Sequence, residues 1–139
     1  MPPLICLFIG DQSDLPQIRR LCDELPTDSY GQIFIEVTTR LQVVRWSPPA
    51  GMTLTWLCRD ESRGRGGAVA KRGELATRAL RAWAAEWLPE DGTATDGPYS
   101  MWVGCSSSPL VTFEYHELRE RLACEPEHFR GARPGSHDG

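Results

Sequence analysis

Two short stretches place polar side chains directly after an apolar run. The first is Gly10-Asp11-Gln12-Ser13-Asp14, the second Gly104-Cys105-Ser106-Ser107-Ser108-Pro109. A turn of this kind, leading from a strand into a helix, can hold a phosphate on backbone N–H groups and a hydroxyl. In the first stretch Ser13 supplies the hydroxyl, but the G-x-G-x-x-G fingerprint is missing and two aspartates repel a diphosphate. On charge alone a plain strand-to-helix turn is favoured there. The second stretch could contact a phosphate or a nicotinamide, or it could present Cys105 as a nucleophile activated by a helix start. A nucleophile needs a base, and His116 lies about two turns further along the same segment. Ser108 stands where a G-x-S-x-G elbow has its last glycine, and Val111 where a cysteine-phosphatase loop has its arginine. A third group, Arg59, Arg63, Arg65, Lys71 and Arg72, could pair with a 2′-phosphate or simply form a solvated loop.

Metal chemistry is not indicated. The five cysteines are odd in number and form no C-x-x-C pair, and His116, His128 and His137 are scattered, so no metal site is expected. Cys6 and Cys58 lie in apolar runs, where a thiol behaves as a small hydrophobe.

The elements that must position these residues follow from periodicity. Leu4 to Ile9 is a continuous apolar run, as in a strand covered on both faces. A helix is expected over 14–25, capped by Ser13 or Asp14 and stopped by Pro26. Strands are expected at Gln32–Val37, Met52–Cys58 and Tyr99–Val103, with a short extra strand at "LQVVRW". Arg59 to Gly73 reads as loop, and Pro89 to Pro98 as a linker. A helix over 74–88 has Leu75, Ala79, Trp83 and Trp87 as its apolar stripe. A last helix over 109–124, with Ser108 as N-cap, carries Val111, Tyr115, Leu118 and Leu122. Alternating strand and helix calls for a mostly parallel sheet of four or five strands, with right-handed crossovers. The first and fourth strands should be neighbours at the point where strand order reverses, which is where such sheets bind ligands.

At 139 residues and 40% hydrophobic, the chain fits one domain with a real core. A net charge of −4 is poor for nucleic-acid binding, and no apolar run approaches the roughly 20 residues of a membrane span. The start lacks the basic segment of a signal peptide, so a cytoplasmic location is expected.

Four segments together, "LFIGDQSDLPQIRRLCDELP", "GQIFIEV", "MTLTWLCR" and "YSMWVGCSSS", resemble in order and spacing the C-terminal domain of siderophore-interacting proteins. These are flavin-dependent ferric-siderophore reductases of the ferredoxin-reductase superfamily. The family's pattern reads roughly "GDETALPAI", "GQAFIEV", "VTWLHR", "WVAGE" and a closing "GYWRRG". The resemblance implies a three-layer Rossmann-like α/β domain that binds NADPH or NADH, passes hydride to FAD and so reduces the ferric iron of a siderophore. It places Gly10, Asp11 and Ser13 on the loop that approaches the dinucleotide and Arg59 near the adenosine end. It places Gly104, Cys105 and Ser106 on the nicotinamide side, and Phe129 and Arg130 by the flavin and the siderophore.

The departures from that pattern are specific. Gln12 replaces Glu, Ser13 replaces Thr and Asp14 replaces Ala. Gly104, Cys105 and Ser106 replace Ala, Gly and Glu, and Phe129 replaces Trp. The family's flavin barrel is not among these residues, so FAD is expected only through a flavin-binding barrel partner. Residues 1–131 are expected to form the domain and 132–139 a flexible tail. Two readings remain beside the reductase half: a non-catalytic binding or regulatory module that keeps the fold, and a Cys105-dependent enzyme.

Overall fold

The computed structural model describes residues 4–61, 69–87, 99–105, 108–121 and 129–130. Five strands form one sheet: β1 (Ile5–Asp11), β2 (Tyr30–Val37), β3 (Met52–Cys58), β4 (Tyr99–Val103) and β5 (Phe129–Arg130). Their order is β3-β2-β1-β4-β5, and every pairing is parallel. The chain builds outward from β1 to β3, then returns to place β4 on the other side of β1. The reversal therefore falls between β1 and β4, as the alternation of elements predicts. Gly104 extends this pairing by one step, its N–H donating to Ile9 O at 2.7 Å.

Three helices cover the sheet: α1 (Leu15–Asp23) on one face, α2 (Glu74–Trp87) and α3 (Pro109–Arg121) on the other. β1 shows why both faces must be covered. Leu4, Cys6 and Phe8 pack with Leu15, Ile18 and Cys22 of α1, together with Ile33, Ile35 and Val37 of β2. Ile5, Leu7 and Ile9 point the other way, into Ala76, Leu80 and Trp83 of α2 and Val111, Tyr115 and Leu118 of α3. An unbroken apolar strand is what two covering layers require, since successive side chains alternate between faces.

Several expectations need correction. The buried stripe of α2 is Leu75, Ala76, Leu80, Trp83 and Ala84, while Ala79 and Trp87 are only half-buried. A strict four-residue spacing drifts around a helix of 3.6 residues per turn, so the contact face follows i, i+4, i+7, i+8 instead. "LQVVRW" is not a strand. Thr39 Oγ1 accepts from Leu41 N at 3.1 Å and caps a single 3-10 turn, Arg40–Gln42, after which the backbone is irregular. Leu41 points outward, 94% exposed, while Trp46 packs on the α1 layer under the Arg19 guanidinium, 5.5 Å from the ring centre. Phe129–Arg130, for which the sequence pattern predicts no strand, pairs with Tyr99 and Ser100 as a two-residue edge strand. Its basis is the free hydrogen-bonding edge of β4, which leaves no trace in side-chain periodicity. The linker over 89–98, residues 62–68 of the Arg59–Gly73 loop, Leu122 and the 132–139 tail lie outside the described residues, while Arg59–Glu61 forms a short 3-10 turn. Among the described residues, no helix is long and apolar enough to cross a membrane.

Leu80 is 1% exposed and sits between α2, α3 and the sheet. Leu80→Ala should lower the free energy of unfolding by about 3 kcal/mol in urea titrations, through lost burial and an unfilled cavity.

Candidate functional site

The carboxyl ends of β1, β2 and β4 converge with the starts of α2 and α3, and two carboxylates organise them. Asp14 is the first. Its Oδ2 accepts from Asp11 N at 2.9 Å and from Cys105 N at 2.8 Å, so one oxygen joins the exit of β1 to the exit of β4. Both flanking glycines make room for it. A Cβ at Gly10 would lie 2.6 Å from Asp14 Cβ, and a Cβ at Gly104 would lie 2.4 Å from Asp14 Oδ2. The departures from the family pattern noted above are thus physically coupled. The pattern has Ala at both 14 and 104, whereas an aspartate at 14 needs glycine at 104.

Asp11 completes the turn. Its Oδ1 accepts from Ser13 N at 3.0 Å and from Ser13 Oγ at 2.6 Å, capping the 3-10 turn Gln12–Asp14 that precedes α1. The expectation that Ser13 or Asp14 caps α1 is therefore replaced by a reciprocal arrangement: Asp11 holds Ser13, and Asp14 holds Asp11. The Ser13 hydroxyl proton is thus already engaged by Asp11 within the turn.

The second carboxylate is Glu36, which the sequence reading passed over as a strand residue. It is 3% exposed at the end of β2. Oε1 accepts from Gly73 N at 2.7 Å, and Oε2 from Leu75 N and Ala76 N, each at 3.1 Å. Glu36 thus satisfies three free donors at the start of α2 and lies against the positive end of its dipole. A lone acid closing the apolar run "QIFIEV" was the available signal for this role. Gly73 itself takes φ +86°, and a Cβ there would meet Ser108 Oγ at 1.9 Å. Ser108 caps α3 as expected, accepting from Val111 N at 3.4 Å and donating to Arg72 O at 3.3 Å.

Between these groups lies a cleft of about 260 Å³, lined by Asp11, Gln12, Ser13, Glu36, Thr38, Gln42, Arg59 and Arg72. Arg59 is partly committed to the fold: Nε donates to Ala70 O at 3.0 Å and Nη1 to Thr38 Oγ1 at 3.4 Å. Gln42 links the two sides of the mouth, donating to Gln12 Oε1 at 2.7 Å and accepting from Thr38 N at 2.6 Å. Neither Thr38 nor Gln42 carries a motif by which sequence alone could single it out.

The structure thus brings Gly10, Asp11, Ser13, Gly104 and Cys105 to one crevice, with Arg59 in the adjoining cleft. Ser106, Arg63 and Arg65 lie outside the described residues. Phe129 and Arg130 pair with the first two residues of β4, whose exit is about 13 Å further along at the rise of a parallel strand.

Cys105 is not placed as a nucleophile. It is 2% exposed, and burial, followed by the charges of Asp11, Asp14 and Glu36, pushes its thiol pKa well up. A nucleophilic cysteine needs the reverse. Its backbone takes φ +57°, a left-handed conformation that L side chains rarely adopt, at the position where the family pattern has Gly. The hydrogen bond that its N–H donates to Asp14 Oδ2 holds this strained turn. Asp11, Asp14 and Cys105 have donor atoms within 4.8 Å of one another. The carboxylates already accept four hydrogen bonds and burial pushes the thiol toward its protonated form, a poor ligand set for a cation.

Three outcomes follow for this region. Removing Glu36 as Glu36→Ala strands three amide donors and should cost about 2–4 kcal/mol in denaturant titration. Iodoacetamide near neutral pH should label Cys105 only after unfolding, as read by peptide mass spectrometry. Burial, helped by the neighbouring Asp11 charge, raises the Asp14 pKa above its ordinary 3.8, against the lowering effect of the hydrogen bonds donated by the Cys105 and Asp11 amides. Between 3.8 and the raised value, the unfolded chain loses the Asp14 proton while the folded chain keeps it. This part of the stability therefore falls as pH rises through that window and is level above it. Asp14→Asn cannot ionise, so the stability of wild type relative to this variant should fall from pH 4 to pH 7.

Comparison with known proteins bears on what this arrangement is. A siderophore utilization protein from T. fusca superposes with a TM-score of 0.59 at 24% identity, covering 94% of this chain and 43% of that one. The siderophore-interacting protein SipS from Aeromonas hydrophila superposes with a TM-score of 0.55 at 19% identity, covering 97% of this chain and 51% of that one. At these identities the likeness establishes the fold, and the chain spans about half the length of either protein. No curated protein matches significantly. The siderophore-interacting protein pattern matches residues 5–130, nearly the whole sequence and every strand described above. By that match the chain belongs to the siderophore-interacting protein family.

Proposed function

We propose that this domain is the NAD(P)H-binding half of a ferric-siderophore reductase and works with a flavin-bearing barrel partner. The observation that carries the reading is the pair of arginines, Arg59 and Arg72, lining one cleft beside the carboxyl ends of β1 and β2. That is where a dinucleotide lies along an open parallel sheet, with its adenosine end beyond the second strand. NAD(P)H, when bound, supplies the hydride that a flavin would pass on as electrons to ferric iron.

The chain's own residues do the positioning. Arg59 and Arg72 bring positive charge to the cleft, and a planar guanidinium suits the 2′-phosphate of NADPH. Glu36 fixes the start of α2, and with it the backbone that carries Arg72. Thr38 and Gln42 supply polar groups at the mouth. Asp11 and Glu36 offset part of the positive charge, so the cleft is a mixed field that favours a compact anion close to the arginines.

A second reading rests on a different observation. Asp14 fills the crevice between β1 and β4 with a carboxylate. A module that retains the fold but has lost hydride transfer would look this way.

Calorimetry separates the two. The reductase-half reading expects NADPH to bind below millimolar concentration. Arg59→Ala should weaken it about tenfold, a loss of about 1.4 kcal/mol, and weaken NADH less. Absence of binding by either nucleotide at millimolar concentration would sink the reading, and equal loss for both would remove the 2′-phosphate role. Thermal melts of Arg59→Ala check that losing the Ala70 contact has not unfolded the loop.

A further inference from the structure

We propose that Asp14 is an internal anion, a carboxylate built into the chain that occupies the place a diphosphate would take at the switch point between β1 and β4. The crevice has the features of an anion site. Two backbone N–H groups, of Asp11 and Cys105, converge on one point from the ends of neighbouring parallel strands. That point is taken by Asp14 Oδ2, within hydrogen-bonding distance of both. The surroundings are shaped for this occupant, since Gly104 leaves the space that its carboxylate fills and Gly10 the space under its Cβ. A side chain that merely pointed at solvent would need neither glycine nor amide.

The consequence is a limit on what the domain binds. A diphosphate entering the crevice must displace Asp14, remove its oxygen from two amides and tolerate the Asp11 charge alongside. A ligand engaging only the neighbouring cleft, through Arg59 and Arg72, need not. Asp14 therefore acts as a specificity-determining residue: it competes for the diphosphate position and leaves the adenosine end of the cleft available. The inference deepens the nucleotide reading, and it rests on that reading only for the identity of the dinucleotide. The exclusion of an anion stands on the crevice itself.

The test uses the whole chain and inorganic pyrophosphate as the probe, titrated by calorimetry. Asp14→Ala and Asp14→Ser both vacate the crevice, and thermal melts identify which is folded. Either folded variant should bind pyrophosphate at least tenfold tighter than wild type. Asp14→Asn, neutral but still filling the space, should gain less than Asp14→Ala. Equal affinity in wild type and a folded vacating variant would overturn the proposal. If neither variant folds, the wild-type chain still decides. Pyrophosphate should leave the amide resonances of Asp11 and Cys105 in place, and a saturable shift of both would show an open crevice and overturn it. NADPH titrations keep the two readings apart. Pyrophosphate gained without any NADPH binding supports the internal anion and removes the nucleotide role. NADPH bound by wild type, with pyrophosphate affinity unchanged in a folded vacating variant, keeps the nucleotide role and overturns the internal anion.

Discussion

One carboxylate oxygen holds the carboxyl edge of this sheet together. Asp14 Oδ2 accepts from two backbone amides, one at the end of β1 and one, 91 residues away in sequence, just past β4. Much at that edge depends on it. Asp11 is oriented to hold Ser13, the left-handed turn at Cys105 is pinned, and Gly10 and Gly104 are the only residue type whose lack of a Cβ admits the group. Charge-assisted bonds to backbone N–H groups are stronger than neutral ones, and here they work against the cost of partial burial. Burial, joined by the neighbouring Asp11 carboxylate, outweighs those bonds and raises the Asp14 pKa.

Glu36 repeats the device on the next strand. Its carboxylate serves three amides at the start of α2, so two neighbouring parallel strands each deliver an acid to groups that elsewhere in such folds meet a ligand's phosphates. The pattern that the sequence resembles has Glu at the Glu36 position and Ala at the Asp14 position. Beside β2 the result is a cleft with Arg59 and Arg72 on its wall, and at the switch point it is the Asp14 carboxylate.

Much of the fold is legible in the sequence because burial on two faces leaves an obvious mark. The run Leu4–Ile9 has no polar interruption, and the structure explains this with α1 on one side and α2 and α3 on the other. Ser108-Pro109 marks the start of α3 by local chemistry, and the cap is where it should be. The failures are equally physical. "LQVVRW" has strand-like composition, but Thr39 turns the chain before it can pair. β5 exists because β4 has a free edge, and backbone pairing of two residues has no side-chain signature. At the site, the charge of Asp14 is visible in the sequence and argues against a bound diphosphate. Which atoms would receive that charge is not visible, because one of the two donors lies 91 residues downstream. Glu36 was hidden for the same reason: its partners are on a helix beginning almost forty residues later.

The central claim is that one ionisable group is bonded to two distant amides, and an NMR pH titration of the wild-type chain tests it most directly. The amide protons of Asp11 and Cys105 should titrate together, with one shared midpoint above 3.8, the ordinary value for an aspartate. Both movements should vanish in Asp14→Asn. Separate midpoints, or a Cys105 amide that does not respond to Asp14 ionisation, would contradict the account.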